Sequence, residues 1–163
     1  MIRFGVLGAG RIGKVHAATI AANPKAKLAY VADAFPAAAE QLALQTGARV
    51  ASVEEIIAAS DVDAVLIATP TPSHADLIEA ASKAGKHILC EKPVSLSVDR
   101  INQCLDVVEQ NKSTLMIGFN RRFDTNFSMV EQRLRNGDVG EIEIVTIISR
   151  DPNPPPASYV KSS

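Results

Sequence analysis

The sequence has no tryptophan, only two cysteines, few aromatic residues and no long apolar run, and each shortage removes a class of protein. Cys90 and Cys104 stand far apart, in segments that read as a strand end and a helix, which argues against a disulfide framework and for a reducing compartment. No stretch reaches the roughly 18 consecutive apolar residues that a membrane-spanning helix needs. The chain enters a strand-like run at once with MIRFGVLGAG, without a basic leader ahead of an apolar core, so a cytoplasmic chain is expected. The NFS triplet at 126–128 then never meets the glycosylation machinery. Neither charge sign forms a block: 17 basic and 18 acidic residues leave a formal net charge of −1. That balance gives no electrostatic case for nucleic acid or an anionic membrane surface. No cluster of Cys, His and carboxylates has metal-ligand spacing, so no metal is expected. The lack of tryptophan also leaves no indole emission to obscure the fluorescence of a ligand.

What is there is a core. With 163 residues, 47% of them hydrophobic, the chain suits one compact domain, or one domain and the beginning of another. Short unbroken apolar runs recur: IRFGVL, KLAYVAD, DAVLIAT, KHILC and STLMIGF. Such runs suit strands buried on both faces of a parallel sheet. Helical patterns fill the gaps. Residues 36–46 open on Pro36 and stop before Gly47, SVEE at 52–55 is a capping box, and Ser73 and Ser97 are placed to cap helices over 74–84 and 98–110. This alternation persists to about residue 119 and predicts an α/β fold, a doubly wound parallel sheet of Rossmann type.

Beyond GFNRRF the pattern changes to a polar helix at roughly 124–136, an NGDVGE turn and the run EIEIVTIISR, whose start alternates acidic and apolar residues. Alternation predicts a strand with one wet face, of the kind found in antiparallel sheets. We therefore expect a cofactor-binding domain over 1–120 and the truncated beginning of a second α+β domain over 121–163. An unpaired strand at 141–149 would expose its edges, a route to self-association.

The stretch GVLGAGRIGKVH places Gly8, Gly10 and Gly13 between a strand and a helix, the setting in which glycines cradle a dinucleotide pyrophosphate. Turn residues Gly8, Gly10, Arg11, Ile12 and Gly13 are thus candidate cofactor contacts, with backbone N–H groups and the helix N-terminus facing the phosphates. Asp33 ends the second strand-like run, placed to accept hydrogen bonds from the adenosine ribose hydroxyls. Its carboxylate repels a 2′-phosphate, and AFPAAA after it offers no Arg or Lys, so NAD is favoured over NADP; Arg11 is the one nearby cation.

Two more stretches fall at later strand ends, where such sheets bind ligands: ATPTPSH (68–74) and CEKPVS (90–95). Thr69 and Pro70 belong to a rigid, slim turn suited to lying beside a cofactor. His74, a candidate cofactor contact, reads either as an acid or base or as a residue capping or packing a helix start. Lys92 reads either as an exposed lysine paired with Glu91 or as a group that orients a substrate hydroxyl and assists its proton loss.

GVLGAGRIGKVHA, VLIATPTPSHADLIEAASKAGKHILCEKP and MIGFNRRFD together resemble the Gfo/Idh/MocA family of sugar and polyol oxidoreductases, most closely its inositol 2-dehydrogenases. The resemblance runs over essentially the whole chain. It implies an NAD-binding Rossmann domain, oxidation of a secondary hydroxyl of myo-inositol to a ketone, and a small polyol or sugar as the partner. It assigns Lys92 to catalysis and to binding both substrate and cofactor, with Pro93 in a cis peptide. It sets Thr69, Glu91 and Asn120 along the cofactor, Arg121 near nicotinamide and substrate, and Asp151 on the substrate side. It also implies an Asp-x-x-x-His element carrying the general base. The 163 residues contain none, so little turnover is expected from this chain alone. A stand-alone NAD-binding module and a dehydrogenase for another sugar or polyol are the alternatives.

Overall fold

The computed structural model describes residues 1–150 and 152–154. Their strands are β1 (Ile2–Leu7), β2 (Ala26–Ala32), β3 (Arg49–Val50), β4 (Ala64–Ile67), β5 (His87–Cys90) and β6 (Leu115–Ile117). They form one sheet in the order β3-β2-β1-β4-β5-β6, every neighbouring pair parallel. Parallel neighbours need long crossovers, and these carry α1 (Arg11–Ala22), α2 (Pro36–Thr46), α3 (Val53–Ala58), α4 (His74–Lys83) and α5 (Val98–Gln110). The strand order reverses between β1 and β4, which is the topological switch point of a Rossmann fold and opens a crevice at the strands' carboxyl ends.

Two cores follow from the two-residue period of the strands. Val6, Val31 and Leu66 face one side and pack with Ala17 and Ile20 of α1 and Ala39 and Leu42 of α2. Leu7, Ala32, Val65 and Ile67 face the other and pack with Ile56 of α3, Ile78 of α4 and Cys104 and Val108 of α5. A side-chain carbon at Gly5 would lie 2.3 Å from the Ile56 side chain, so α3 rides directly on β1.

Helix ends follow local chemistry. Ser52 and Glu55 form both halves of the capping box, and Gly47 closes α2 in the left-handed region at φ 72°. The Ser97 hydroxyl accepts from Arg100 N–H at 3.4 Å. Ser73, by contrast, does not cap α4. A 3₁₀ turn over Thr71–Ser73 runs straight into the helix, and the Ser73 hydroxyl instead donates back to the Pro70 carbonyl at 2.8 Å. The edge strand β3 was absent from the sequence-based expectation because two residues cannot display a period.

The chain divides into two compact units, Met1–Gly118 and Phe119–Ser163. In the second, a 3₁₀ turn over Asn120–Phe123 precedes α6 (Thr125–Arg135), whose first N–H groups are capped by the Asp124 carboxylate. The strand expected over 141–149 does not form. A strand exists only through hydrogen bonds to a neighbour, and the described part of this unit supplies none, leaving Ile142, Ile144, Val145, Ile147 and Ile148 exposed. Asp151 and residues 155–163 lie outside the described residues. Among the described residues no helix is long and apolar enough to cross a membrane.

At the amino-terminal end of the sheet, Asp63 receives the Arg3 guanidinium at 2.6 and 2.9 Å and the Arg3 backbone N–H at 2.7 Å. The side-chain bonds first, and the backbone bond second, hold its carboxyl well below the usual carboxylate range. A depressed folded-state value contributes stability above the unfolded value, about 3.9, and loses it as pH falls below that. Asp63→Asn is therefore expected to flatten the acid side of a stability-versus-pH curve from urea unfolding. An unchanged acid limb in the variant would contradict this.

Candidate functional site

The site begins where β1 runs out. Gly8 stands at φ 103°, and a side-chain carbon there would lie 2.6 Å from the Ala68 carbonyl oxygen at the end of β4. Such a carbon on Gly13 would come within 1.9 Å of the Gly8 carbonyl oxygen. These two glycines let α1 press against the β1 turn and the turn against β4. Gly10 differs: its backbone is extended, at φ −69° and ψ −170°, and a side chain there would meet nothing within 4 Å. The protein's own packing leaves that space open, which suits close approach by a ligand. Gly10 also begins α1 without any side-chain cap, and the first turn holds no acidic residue. The leading N–H groups of this 12-residue helix, with Arg11 and Ile12 exposed beside them, are left for an anion.

Asp33, just beyond β2, is tied to that turn. One carboxylate oxygen accepts Ala9 N–H at 2.6 Å, and the other accepts Phe35 N–H at 2.8 Å. Each oxygen keeps a second lone pair, so the group can still accept from two hydroxyls. Asp33 both fixes the glycine turn and presents an acceptor edge beside it.

The turns after β4 and β5 are knit together by buried polar contacts. Thr69 Oγ1 donates to Ser73 Oγ at 2.7 Å, which holds the slim Thr69–Pro70 turn. His74, 2% exposed, has Nε2 at 2.7 Å from the Thr69 carbonyl and Nδ1 at 2.7 Å from the Pro93 carbonyl. It is a packing group of the helix start, with no face open to substrate. Glu91 pairs with His16 of α1, Nε2 to Oε1 at 2.7 Å, and not with Lys92. Its carboxylate lies against the bare backbone of Gly118, where a side-chain carbon would sit 3.1 Å away. Lys92 is exposed and takes no part in the ion pairs among the described residues. The Lys92–Pro93 peptide is cis. Cys90 beside them is fully buried, and burial pushes its thiol up to about 12, so it is no nucleophile. Both cysteines are free.

The fold thus gathers Gly8, Gly10, Arg11, Ile12, Gly13, Asp33, Thr69, Pro70, His74, Glu91 and Lys92 at the carboxyl ends of β1, β2, β4 and β5. Asn120 and Arg121 belong to the 3₁₀ turn of the second unit, where the Arg121 guanidinium lies 5.4 Å from the Phe127 ring centre. Asp151 lies outside the described residues. His16 and Gly118 were not anticipated as site residues. Glu91 is 75 residues from His16, and no spacing rule joins them. A hollow lined by Glu40, Ala43, Leu44, Gly47, Ala48 and Val50 lies between α2 and β3, and none of the predicted site residues borders it.

Comparison with known proteins bears on this edge directly. The GFO_IDH_MocA family model, an oxidoreductase family with an NAD-binding Rossmann fold, matches residues 2–119. An inositol 2-dehydrogenase of Rhizobium meliloti (strain 1021) is 55% identical over 162 residues, 99% of this chain and 49% of that protein. The crystal structure of a myo-inositol dehydrogenase from Corynebacterium glutamicum superposes with a TM-score of 0.91 at 42% identity, covering 98% of this chain and 48% of that one. A Lactobacillus casei scyllo-inositol dehydrogenase solved with NAD(H) and scyllo-inositol gives 0.82 at 32% identity, covering 86% and 43%. The chain spans about half the length of the relatives it matches.

The glycines separate packing from ligand approach. Gly10→Ala is expected to fold with stability within about 1 kcal/mol of the parent while losing affinity for a dinucleotide. Gly13→Ala, forced against backbone, is expected to lose both. Equal effects of the two substitutions on thermal unfolding and on cofactor titration would refute the division.

Proposed function

The chain belongs to the Gfo/Idh/MocA oxidoreductase family, and from that premise we propose that it serves an NAD-dependent inositol 2-dehydrogenase as its cofactor-binding part. The reaction in this reading is oxidation of one secondary hydroxyl of myo-inositol to a ketone. The observation that carries it is the joint presence, on one sheet edge, of an open glycine turn, an anchored Asp33 and an exposed Lys92.

NAD, when bound, supplies the acceptor for the hydride leaving the carbinol carbon. The residues do the rest. N–H groups at the start of α1 and the space over Gly10 receive the pyrophosphate, with Arg11 and Ile12 flanking it. Asp33 accepts from the ribose hydroxyls and disfavours a phosphate there. The Thr69–Pro70 turn and the Glu91 side chain border the cofactor, and Asn120 is a proposed cofactor contact. Lys92 orients the substrate hydroxyl and stabilises negative charge developing on its oxygen. Arg121 and Asp151 are proposed substrate contacts. Two free, buried cysteines support a reducing compartment, the cytoplasm in this reading.

Self-association through 141–149 belongs to the same proposal. It rests on exposed apolar side chains and unpaired backbone rather than on a strand already formed. Ile144→Lys with Ile147→Lys is expected to lower the mass seen by light scattering; a monomeric parent would exclude this association.

Titration with NADH and NADPH, followed by cofactor fluorescence, tests the cofactor reading. Tight NADH binding is expected, with the preference over NADPH falling about tenfold, or 1.4 kcal/mol, in Asp33→Asn. That variant retains one carbonyl acceptor for the turn and loses the charge. No NADH binding by the folded chain would overturn the proposal.

A further inference from the structure

His74 is almost wholly buried and has both ring nitrogens at 2.7 Å from backbone carbonyl oxygens, Thr69 on one side and Pro93 on the other. Carbonyl oxygens only accept, and a neutral imidazole carries one N–H. With one proton, one of the two contacts would set a nitrogen lone pair against an oxygen lone pair at hydrogen-bond distance. With two protons, both contacts are charge-assisted bonds at their ordinary length.

We propose that His74 is a positioning residue that donates from both ring nitrogens as an imidazolium, bracketing the turn after β4 to the turn after β5. The bracket grips the chain at Thr69, beside the Thr69–Pro70 turn, and at Pro93, next in sequence to Lys92. It holds these two turns in fixed register while leaving the Lys92 side chain free in solvent. What the register is for, aligning a lysine with a cofactor-side turn, rests on the dehydrogenase reading; the bracket itself does not.

The charged surroundings are accounted for element by element. Within α4, Asp76 and Glu79 are both taken by Arg100 of α5, Lys83 pairs with Glu79, and the other charged residues of α5, Asp99, Asp106 and Glu109, are exposed. β4, Ala64–Ile67, carries no ionisable group. On the β5 side, His87 starts the strand, while Glu91, bonded to His16, and Lys92 follow its end. In the turn between α4 and β5, Lys86 is spent on the carbonyls of Ala59 and Val62. The positive end of α4's dipole opposes a cation at its first residue. The two carbonyls are the groups that offset it.

The test needs no cofactor and no turnover, so it stands apart from the NADH titration. In the chain labelled with 15N-histidine, two-dimensional NMR at neutral pH is expected to show protons on both ring nitrogens of one histidine. Loss of that pattern in His74→Gln assigns it. A neutral-tautomer pattern for His74, with one bare nitrogen, overturns the proposal and needs only the parent protein. Hydrogen exchange tests the positioning role in the same variant. The Ser73 and Glu91 amides, bonded to the Pro70 and Ile67 carbonyls, are expected to exchange at least about tenfold faster while β1 and β2 amides keep their protection. Unchanged exchange at those two, or a uniform rise across the sheet, refutes a local bracket.

Discussion

A side-chain carbon on Gly13 would lie 1.9 Å from the Gly8 carbonyl oxygen, so α1 meets the end of β1 at a distance only a hydrogen tolerates. Gly8 in turn sits against the backbone of Ala68 and Thr69, with no room for a side chain. Three consecutive features of the sheet edge, the β1 turn, the α1 start and the β4 end, are therefore set by backbone touching backbone. Gly10 is the exception within the motif, since the fold leaves the space beside it empty. The same three-glycine pattern thus joins two different demands, close packing at its ends and access at its middle.

Around this contact the loops are stitched by side chains that reach beyond their own elements. Asp33 reaches from β2 to Ala9 N–H, His16 from α1 to Glu91, and His74 from α4 to carbonyls on two turns. A carboxylate that accepts two backbone N–H groups is held in one orientation, which is the property a ribose-reading acceptor needs. Lys92 is left out of this stitching. Its backbone is fixed between Glu91, held by His16, and Pro93, held by His74, while its ammonium stays in solvent. An exposed charge on a fixed backbone suits a group that must meet a substrate and then release it.

The second unit follows a different logic. Its helix α6 is capped by Asp124 and keeps Arg121 over Phe127, yet Phe127, Met129 and Val130 are about half exposed. The run from Ile142 to Ile148 is apolar and open. Alternation in EIEIVTII reads as a strand because the pattern encodes which face a strand would bury. Formation of that strand requires a bonded neighbour, and the pattern cannot supply one.

By itself the sequence determined the parallel sheet, its crossover helices, the glycine turn and the acidic residue after β2, because each is a local signal: an apolar run, a cap, a spacing of glycines. Resemblance pointed to the turn carrying Lys92. Tertiary structure alone decided the rest. It paired Glu91 with His16 instead of Lys92, placed two-residue β3 at the sheet's edge, turned Ser73 away from capping α4, and wedged His74 between two carbonyls. These outcomes depend on which backbones the parallel sheet brings side by side, and residues up to 75 positions apart in the chain carry no local mark of that proximity.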